Sequence, residues 1–179
     1  AFINIYNYMN YVRNYKLFEK FWKPKPGSCG NRSIPIIKIP DQILRTKCHD
    51  ISLGKDGKVP EDIKMLARDM FETMWGIGVG LAAPQVGRDI NLFITKHGHE
   101  VFINPKIISS SPQTKKSVEG CLSIPNISGA VFRSEWIQVE YINLSGEKVQ
   151  KYFSGFPAIV IQHEYDHLQG ILFIDKLIN

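Results

Sequence analysis

The chain has 179 residues, enough for one domain with a sizeable core, and 44% of them are hydrophobic, an ordinary value for globular proteins. It has no run of about 18 or more consecutive apolar residues, so no membrane-spanning helix is predicted. Three cysteines form an odd, sparse set, which excludes a disulfide-stabilised scaffold and favours a reducing compartment.

The net charge of +5 is concentrated at the N-terminal end. Residues 1–40 hold seven basic side chains and one acidic side chain, whereas the remaining residues hold 15 basic and 16 acidic ones. Because the rest of the chain is nearly neutral, this distribution argues against sequence-specific binding of nucleic acid.

Residues 1–33 are rich in Asn, Tyr, Phe and Lys and end in a stretch rich in Pro and Gly. A basic, acid-poor, aromatic segment of this kind is typical of an organellar transit peptide. The alternatives are a short amphipathic helix packed on the domain, or a vector-derived extension. We therefore interpret residues 1–33 as a targeting-like or vector-derived extension, and residues 34–179 as a single catalytic domain.

The first helix is predicted at Glu61–Trp75. Pro60 stands at its start, and apolar residues recur at steps of three and four along it. Gly76 and Gly78 are expected to end the helix. Residues 77–87 are too rich in glycine to predict either a helix or a strand.

Strands and one further helix are predicted in the C-terminal half. The helix begins near Pro157, runs to Leu168 and is ended by Gly170. The strands, identified by alternation or by β-prone composition, are at 90–95, 101–108, within 130–143, and at 148–153. This order predicts an α+β fold, with mostly antiparallel sheets packed around a central metal-binding helix that carries the segment HEYDH.

HEYDH, residues 163–167, is the strongest chemical signal in the sequence. On a helix, His163 and His167 project from one face, so both imidazoles can reach one metal ion. Glu164 can then act as general acid and base on a water bound to that ion. The alternative is two ordinary surface or core histidines, but the apolar residues Phe156, Ile159 and Val160 indicate that this helix face is buried and that the histidines need a partner.

A catalytic site of this type needs a third protein ligand. Phe173 occupies the position of the third histidine in the metzincin pattern, and no glutamate follows His167 at the thermolysin position, so the ligand is expected upstream. Cys121, in the glycine-flanked segment SVEGCLSIP, is the leading candidate, whereas Cys29 and Cys48 are interpreted as small buried residues. The alternatives, which lie in polar, turn-like contexts, are His49, His97 and His99.

Three segments together resemble the signature motifs of the peptide deformylases: IGVGLAAPQ (77–85), EGCLS (119–123) and QHEYDH (162–167). Their order and separations match the family, and the resemblance covers residues 34–176. The composition rich in Asn, Ile and Lys and the basic tail resemble a plastid-type deformylase of an organism with an AT-rich genome. A plastid or apicoplast is therefore expected more than a mitochondrion.

The resemblance implies that a metal-bound hydroxide attacks the formyl carbon of the N-terminal formyl-methionine of nascent polypeptides, releasing formate. It implies Cys121, His163 and His167 as ligands and Glu164 as the catalytic carboxylate. The implied physiological metal is Fe²⁺, with Zn²⁺, Ni²⁺ or Co²⁺ as replacements in purified protein. Substrates are expected to be met at the ribosome exit.

The same reaction needs hydrogen-bond donors for the negative oxygen that develops on the formyl group. The side chain of Gln85 and the backbone N–H of Leu122 are expected to supply them. Gly78 and Gly80 are expected to let their loop approach the substrate closely.

The methionine side chain needs an apolar pocket. Phe156, Ile159 and Val160 are expected to form it with Val79 or Leu81, although plain core residues would have the same composition.

Charged residues near the histidines are also expected to help position the metal ligands. Glu119 or Asp166 is expected to orient a ligand histidine, with Arg133 paired to one of them. Ser128 replaces an arginine that many bacterial relatives carry, so binding of the peptide backbone is expected to differ.

Two other functions compete with this interpretation. A metallopeptidase would cut peptide bonds, but the expected downstream ligand is absent. A structural metal site would be closed to substrate and would not require Glu164.

Overall fold

The computed structural model describes residues 2–3 and 33–178. Within these ranges the chain forms two α-helices, α1 (Glu61–Met74) and α2 (Phe156–Leu168). It also forms eight strands: β1 (Phe2–Ile3), β2 (Gly80–Ala82), β3 (Leu92–Thr95), β4 (Glu100–Ser110), β5 (Thr114–Cys121), β6 (Ile124–Ser134), β7 (Trp136–Ile142) and β8 (Lys148–Ser154). In the described part of the chain, no helix is long and apolar enough to cross a bilayer.

The strands form two sheets, and each pair of neighbouring strands runs antiparallel. The larger sheet has the order β2-β3-β4-β7-β8, and the smaller has the order β1-β5-β6. The predicted α+β class with antiparallel sheets is therefore confirmed. Cys121 is the last residue of β5 and therefore lies in the smaller sheet.

Helix α1 forms because its apolar residues recur on one face. Ile63, Leu66 and Met70 are buried in a cluster that also includes Leu81 of β2 and Leu92 of β3. The helix starts at the predicted residue and ends one residue earlier than predicted. The chain then turns away through Gly76, whose φ of +78° is a conformation that glycine adopts without steric cost.

The expectation that residues 77–87 form no regular structure was wrong. Gly80–Ala82 form β2, which pairs with β3 in the register Gly80 opposite Thr95 and Ala82 opposite Phe93. Residues Ala83–Val86 then make one 3₁₀ turn. Pairing with the fully buried strand β3 compensates for the weak strand preference of glycine, which a local reading of the sequence cannot detect.

The β5–β6 hairpin was only partly predicted. The expected strands began at residue 130, whereas β5 starts at Thr114 and β6 at Ile124. The inner face of β5 carries Ser117 and Glu119, which are polar but buried. Because the buried Ser117 and Glu119 are polar and Val118 between them is exposed, the usual apolar/polar signal of a half-buried strand is inverted.

Helix α2 spans the predicted segment and contacts β2, β3 and β8 of the larger sheet and β6 of the smaller one. Gln169 follows its last residue, and Gly170 has a φ of +72°, as expected for a glycine that ends a helix. Helix α2 thereby brings His163, Glu164 and His167 against strands of both sheets.

Phe2 and Ile3 form the short strand β1, which pairs with Gly120 and Glu119 on the edge of β5. Most of the predicted targeting-like segment, residues 4–32, lies outside the described residues.

Candidate active site and metal centre

Cys121, His163 and His167 converge at one point. Each offers one ligand atom, and the three atoms lie within 4.8 Å of one another. The sulfur of Cys121 is 3.3 Å from Nε2 of His167, and all three residues are buried. Strand β5 supplies the cysteine and adjacent turns of α2 supply the histidines, so the fold joins segments that are about 40 residues apart.

The donor set fits a transition-metal ion. Nε2 of His163 is buried and has no hydrogen-bond partner in the described part of the chain, although a buried polar atom normally has one. Its other ring nitrogen, Nδ1, lies 2.8 Å from Oε2 of Glu119. A cysteine sulfur and two imidazoles are ligands that iron, zinc, nickel and cobalt accept, and an ion there would give Nε2 of His163 a partner.

A buried ionic network surrounds His163. Arg133 donates from Nε and Nη2 to the two oxygens of Glu119, each at 2.9 Å, and from Nη1 to Asp166 at 2.5 Å. Glu119 is therefore the carboxylate that contacts a candidate ligand histidine, His163, and Arg133 pairs with both acids. Asp166 contacts Arg133 and Lys176 and does not orient a histidine directly.

Burial and charge act in opposite directions in this network. Burial would raise the pKa of Glu119, but the hydrogen bonds from Arg133 and His163 outweigh it and lower the pKa to about 2. Burial would lower the pKa of His163, but Cys121 and Glu119 favour its charged form and raise the pKa to about 9. The pKa of His167 lies well below its usual value because of burial and the neighbouring His163. The network therefore holds Glu119 as a carboxylate.

Glu164 is fully buried next to the ligand histidines. A methyl group at Gly80 would lie 2.8 Å from Cγ and Cδ of Glu164, closer than carbon atoms approach in real structures. Strand β2 can therefore pass beside the carboxylate only because residue 80 has no side chain. Gly78 is less constrained, since a methyl group there would lie 3.3 Å from side-chain atoms of Leu122 and Met74.

Gln85 is buried in the 3₁₀ turn after β2. Its Oε1 accepts a hydrogen bond from the backbone of Ala82 at 3.0 Å, which fixes the amide. Its Nε2 lies 3.3 Å from the Cys121 sulfur and 3.1 Å from the Ser123 hydroxyl. Leu122 follows Cys121 in the turn between β5 and β6. The Gln85 amide and the Leu122 backbone thus both adjoin Cys121, while their role as oxyanion donors stays a prediction.

A small apolar cluster lies on the N-terminal half of α2. Val160 is its buried centre, and the partly buried side chains of Val79, Phe156 and Ile159 pack against it. These are the residues expected to line the methionine pocket, whereas Leu81 belongs to the main core beneath α1. The cluster is separate from the larger cores in the described residues, and its partly buried walls suit a site that a substrate side chain can enter.

The remaining candidate ligands lie elsewhere. The side chain of His49 is 77% exposed, and His97 and His99 occupy the turn between β3 and β4. Cys48 is buried in an apolar cluster. Two contacts were missed by the sequence analysis, those of Ser123 with Gln85 and of Lys176 with Asp166. Ser123 lies inside the EGCLS motif and could have been identified there, but nothing in the sequence singles out Lys176.

Comparison with known proteins agrees with this geometry. The family model described as polypeptide deformylase matches residues 33–179. The chain is 44% identical over 139 residues to the peptide deformylase of Pseudothermotoga lettingae, an alignment that covers 76% of this chain and 78% of that protein.

Solved structures give the same result. The crystal structure of peptide deformylase from Thermotoga maritima has a TM-score of 0.76 and 39% identity, covering 82% of this chain and 99% of that one. The Met-Ala-Ser-bound class I type b enzyme from Acinetobacter baumannii has a TM-score of 0.76 and 34% identity, covering 83% and 100% of the two chains. The chain therefore belongs to the peptide deformylase family, metal-dependent hydrolases that remove the N-formyl group from nascent peptides.

Proposed function

We propose that Cys121, His163 and His167 hold the metal ion of the deformylase reaction and that Glu164 transfers the proton. The convergence of three buried ligand atoms within 4.8 Å carries this proposal. Helix α2 contacts strands of both sheets, and we regard it as the central element around which residues 34–179 act as one catalytic domain.

When bound, the ion would act as a Lewis acid and lower the pKa of a water molecule. We propose Fe²⁺ as the physiological ion, with Zn²⁺, Ni²⁺ or Co²⁺ as replacements. The resemblance to the family supports iron, since the donor set alone suits zinc equally well. Metal analysis after anaerobic purification tests this assignment, and stoichiometric zinc without iron would contradict it.

Glu164 takes a proton from the attacking water and later gives it to the leaving amine. A carbon–oxygen bond forms at the formyl carbon, and the carbon–nitrogen bond breaks to leave formate and a free N-terminus. Gln85 and the backbone N–H of Leu122 donate hydrogen bonds to the oxygen that gains negative charge. Both lie beside Cys121, which supports this role.

The substrate we propose is a peptide that begins with formyl-methionine. The cluster of Val79, Phe156, Ile159 and Val160 is apolar and partly open, as a methionine side chain requires. Gly78 and Gly80 are proposed to let the backbone of their loop approach the substrate closely. The edge of β5 is suited to the peptide backbone, because in the structure it already pairs with an extended segment, Phe2–Ile3, and a substrate chain could add to the same edge as a strand.

The cellular setting is also a proposal. The basic, acid-poor composition of residues 1–33 supports import into a plastid or apicoplast, where nascent chains would be met at the ribosome exit. Fusion of residues 1–33 to a fluorescent protein tests this directly. Plastid fluorescence is expected, and a diffuse cytosolic signal would contradict the targeting role.

The central experiment measures formate release from a formyl-Met peptide, with the unformylated peptide as control. The formylated peptide should lose its formyl group, and neither peptide should be cleaved at a peptide bond. Cleavage of a peptide bond would instead indicate a metallopeptidase. Glu164→Gln should retain one metal ion but lose roughly 10²–10⁴-fold in kcat, because the proton acceptor is gone. Full turnover by the Gln variant would show that Glu164 is not the base.

A further inference from the structure

A continuous series of charged hydrogen bonds joins the protein surface to His163. Lys176 lies in the 3₁₀ turn after α2, and its ammonium nitrogen is 2.7 Å from each carboxylate oxygen of Asp166. Asp166 accepts a bond from Arg133, which holds both oxygens of Glu119. Glu119 contacts Nδ1 of His163 at 2.8 Å.

We propose that Lys176 is a positioning residue for the metal centre. By holding Asp166 it keeps Arg133 on Glu119, and Glu119 in turn fixes the ring of His163. The effect on metal binding rests on the proposed ligand set of Cys121, His163 and His167, and any effect on turnover rests in addition on the proposed catalytic role of Glu164.

Charge balance is the physical basis of this proposal. Glu119 and Asp166 are two carboxylates, and Arg133 is shared between them. Lys176 is the second cation, so the four groups together are neutral. Glu119 and Arg133 are almost completely buried, where Coulomb forces are stronger than in water. Without Lys176, Arg133 alone would face both carboxylates and would be drawn toward Asp166.

That displacement would weaken the two hydrogen bonds that Arg133 donates to the carboxylate oxygens of Glu119. A ligand histidine depends on its partner carboxylate for ring orientation and ligand strength, and loss of such partners lowers metal affinity. The effect of Lys176 therefore reaches His163 through three intervening side chains. It should be smaller than that of removing Glu119 itself.

A second ion pair in the same turn provides the control. Arg45 pairs with Asp175, whose carboxylate also accepts the backbone N–H of Leu172. This pair anchors the turn that carries Lys176, and within the described residues it makes no hydrogen bond or ion pair with Asp166, Arg133 or Glu119. Replacing Arg45 removes an anchor of the turn, whereas replacing Lys176 removes an anchor and a charge of the network.

The experiment compares Lys176→Met, Lys176→Arg and Arg45→Met. The Zn²⁺ dissociation constant is measured by competition with a chelating dye, and the visible spectrum of the Co²⁺-loaded protein reports ligand geometry. Lys176→Met should weaken Zn²⁺ binding roughly three- to tenfold and shift the Co²⁺ bands, a smaller effect than loss of a direct histidine partner. Lys176→Arg should restore both properties, and Arg45→Met should leave both unchanged.

Two results would overturn the proposal: unchanged Zn²⁺ affinity in Lys176→Met, or an equal loss in Lys176→Met and Arg45→Met, which would assign Lys176 a purely anchoring role. Far-UV circular dichroism checks that each variant is folded. Because the Zn²⁺ measurement needs no turnover, absence of formate release by the wild-type protein would reject the proposed function and leave this inference standing.

Discussion

At the scale of single residues, the closest fit in the site is between Gly80 and Glu164. We expect Gly80→Ala to reduce kcat for formate release by one to two orders of magnitude, roughly the range of a displaced catalytic group. The reason is that the added methyl group would meet Cγ and Cδ of Glu164 at 2.8 Å and displace the carboxylate. Kinetics with a formyl-Met peptide, together with metal analysis, measures this effect, since metal content should stay unchanged.

Gly78→Ala is the matched control for this prediction. A methyl group at Gly78 would meet side-chain atoms of Leu122 and Met74 at 3.3 Å and the backbone oxygen of Gly80 at 3.6 Å, which is an ordinary van der Waals distance. Its effect on kcat should therefore be much smaller. Equal losses in the two variants would mean that glycine is needed for the mobility of the loop and not for the space beside Glu164.

At the scale of elements, both helices could be predicted from the sequence, but strands β2 and β5 could not. Helices α1 and α2 have strong local signals, an apolar stripe in α1 and a terminating glycine after each helix. Strand β2 depends on its pairing with β3, and strand β5 buries Ser117 and Glu119 where a local pattern would expect apolar residues. Both strands lie at the candidate active site. There the proposed function requires a glycine in β2 and a buried charged residue in β5, although strands usually disfavour both.

The ends of the two helices differ in a way that stability measurements can detect. Gly76 and Gly170 both have positive φ, but a methyl group at Gly170 would lie 2.5 Å from the carbonyl oxygen of Arg45, whereas nothing lies within 4 Å at Gly76. We expect Gly76→Ala to lower the free energy of unfolding by about 1 kcal/mol, from backbone strain alone. Gly170→Ala should cost about 2–4 kcal/mol, because the backbone of Arg45 must also move.

Urea denaturation of the metal-free proteins measures both changes. Metal-free protein is used because metal binding would add its own contribution to the free energy of unfolding. If the two variants are equally destabilised, the close approach of the Arg45 backbone is not what requires glycine at position 170.

At the scale of the whole molecule, the metal centre joins parts of the chain that the sequence keeps apart. The HEYDH segment identifies two candidate ligands by helical spacing, and Cys121 could be identified as a candidate third ligand. The charged residues behind them, Glu119, Asp166 and Arg133, were expected from the sequence. Which carboxylate faces His163 could not be derived, because this depends on how β5 and β6 place Glu119 and Arg133 against α2. Helical spacing is encoded locally, whereas contacts between elements exist only once the sheet has formed.

This arrangement predicts that the metal stabilises the fold as a cross-link between β5 and α2. At a free Zn²⁺ concentration one hundred times the dissociation constant, binding should add about 2.7 kcal/mol to the free energy of unfolding. Cys121→Ala should abolish most of this increase, since it removes the only ligand that β5 contributes to the cluster of described residues. Urea denaturation with Zn²⁺ and with chelator measures the increase for each protein.

Cys48→Ala separates loss of a ligand from loss of a buried thiol. Cys48 is buried like Cys121, but it packs in the apolar cluster with Phe93 and Leu168 and not with the ligand histidines. Its replacement should lower the stability of the metal-free protein through lost packing and should leave the Zn²⁺-dependent increase intact. A full increase in Cys121→Ala would instead mean that the two histidines of α2 hold the ion without the cysteine, and that the metal does not bridge the sheet and the helix.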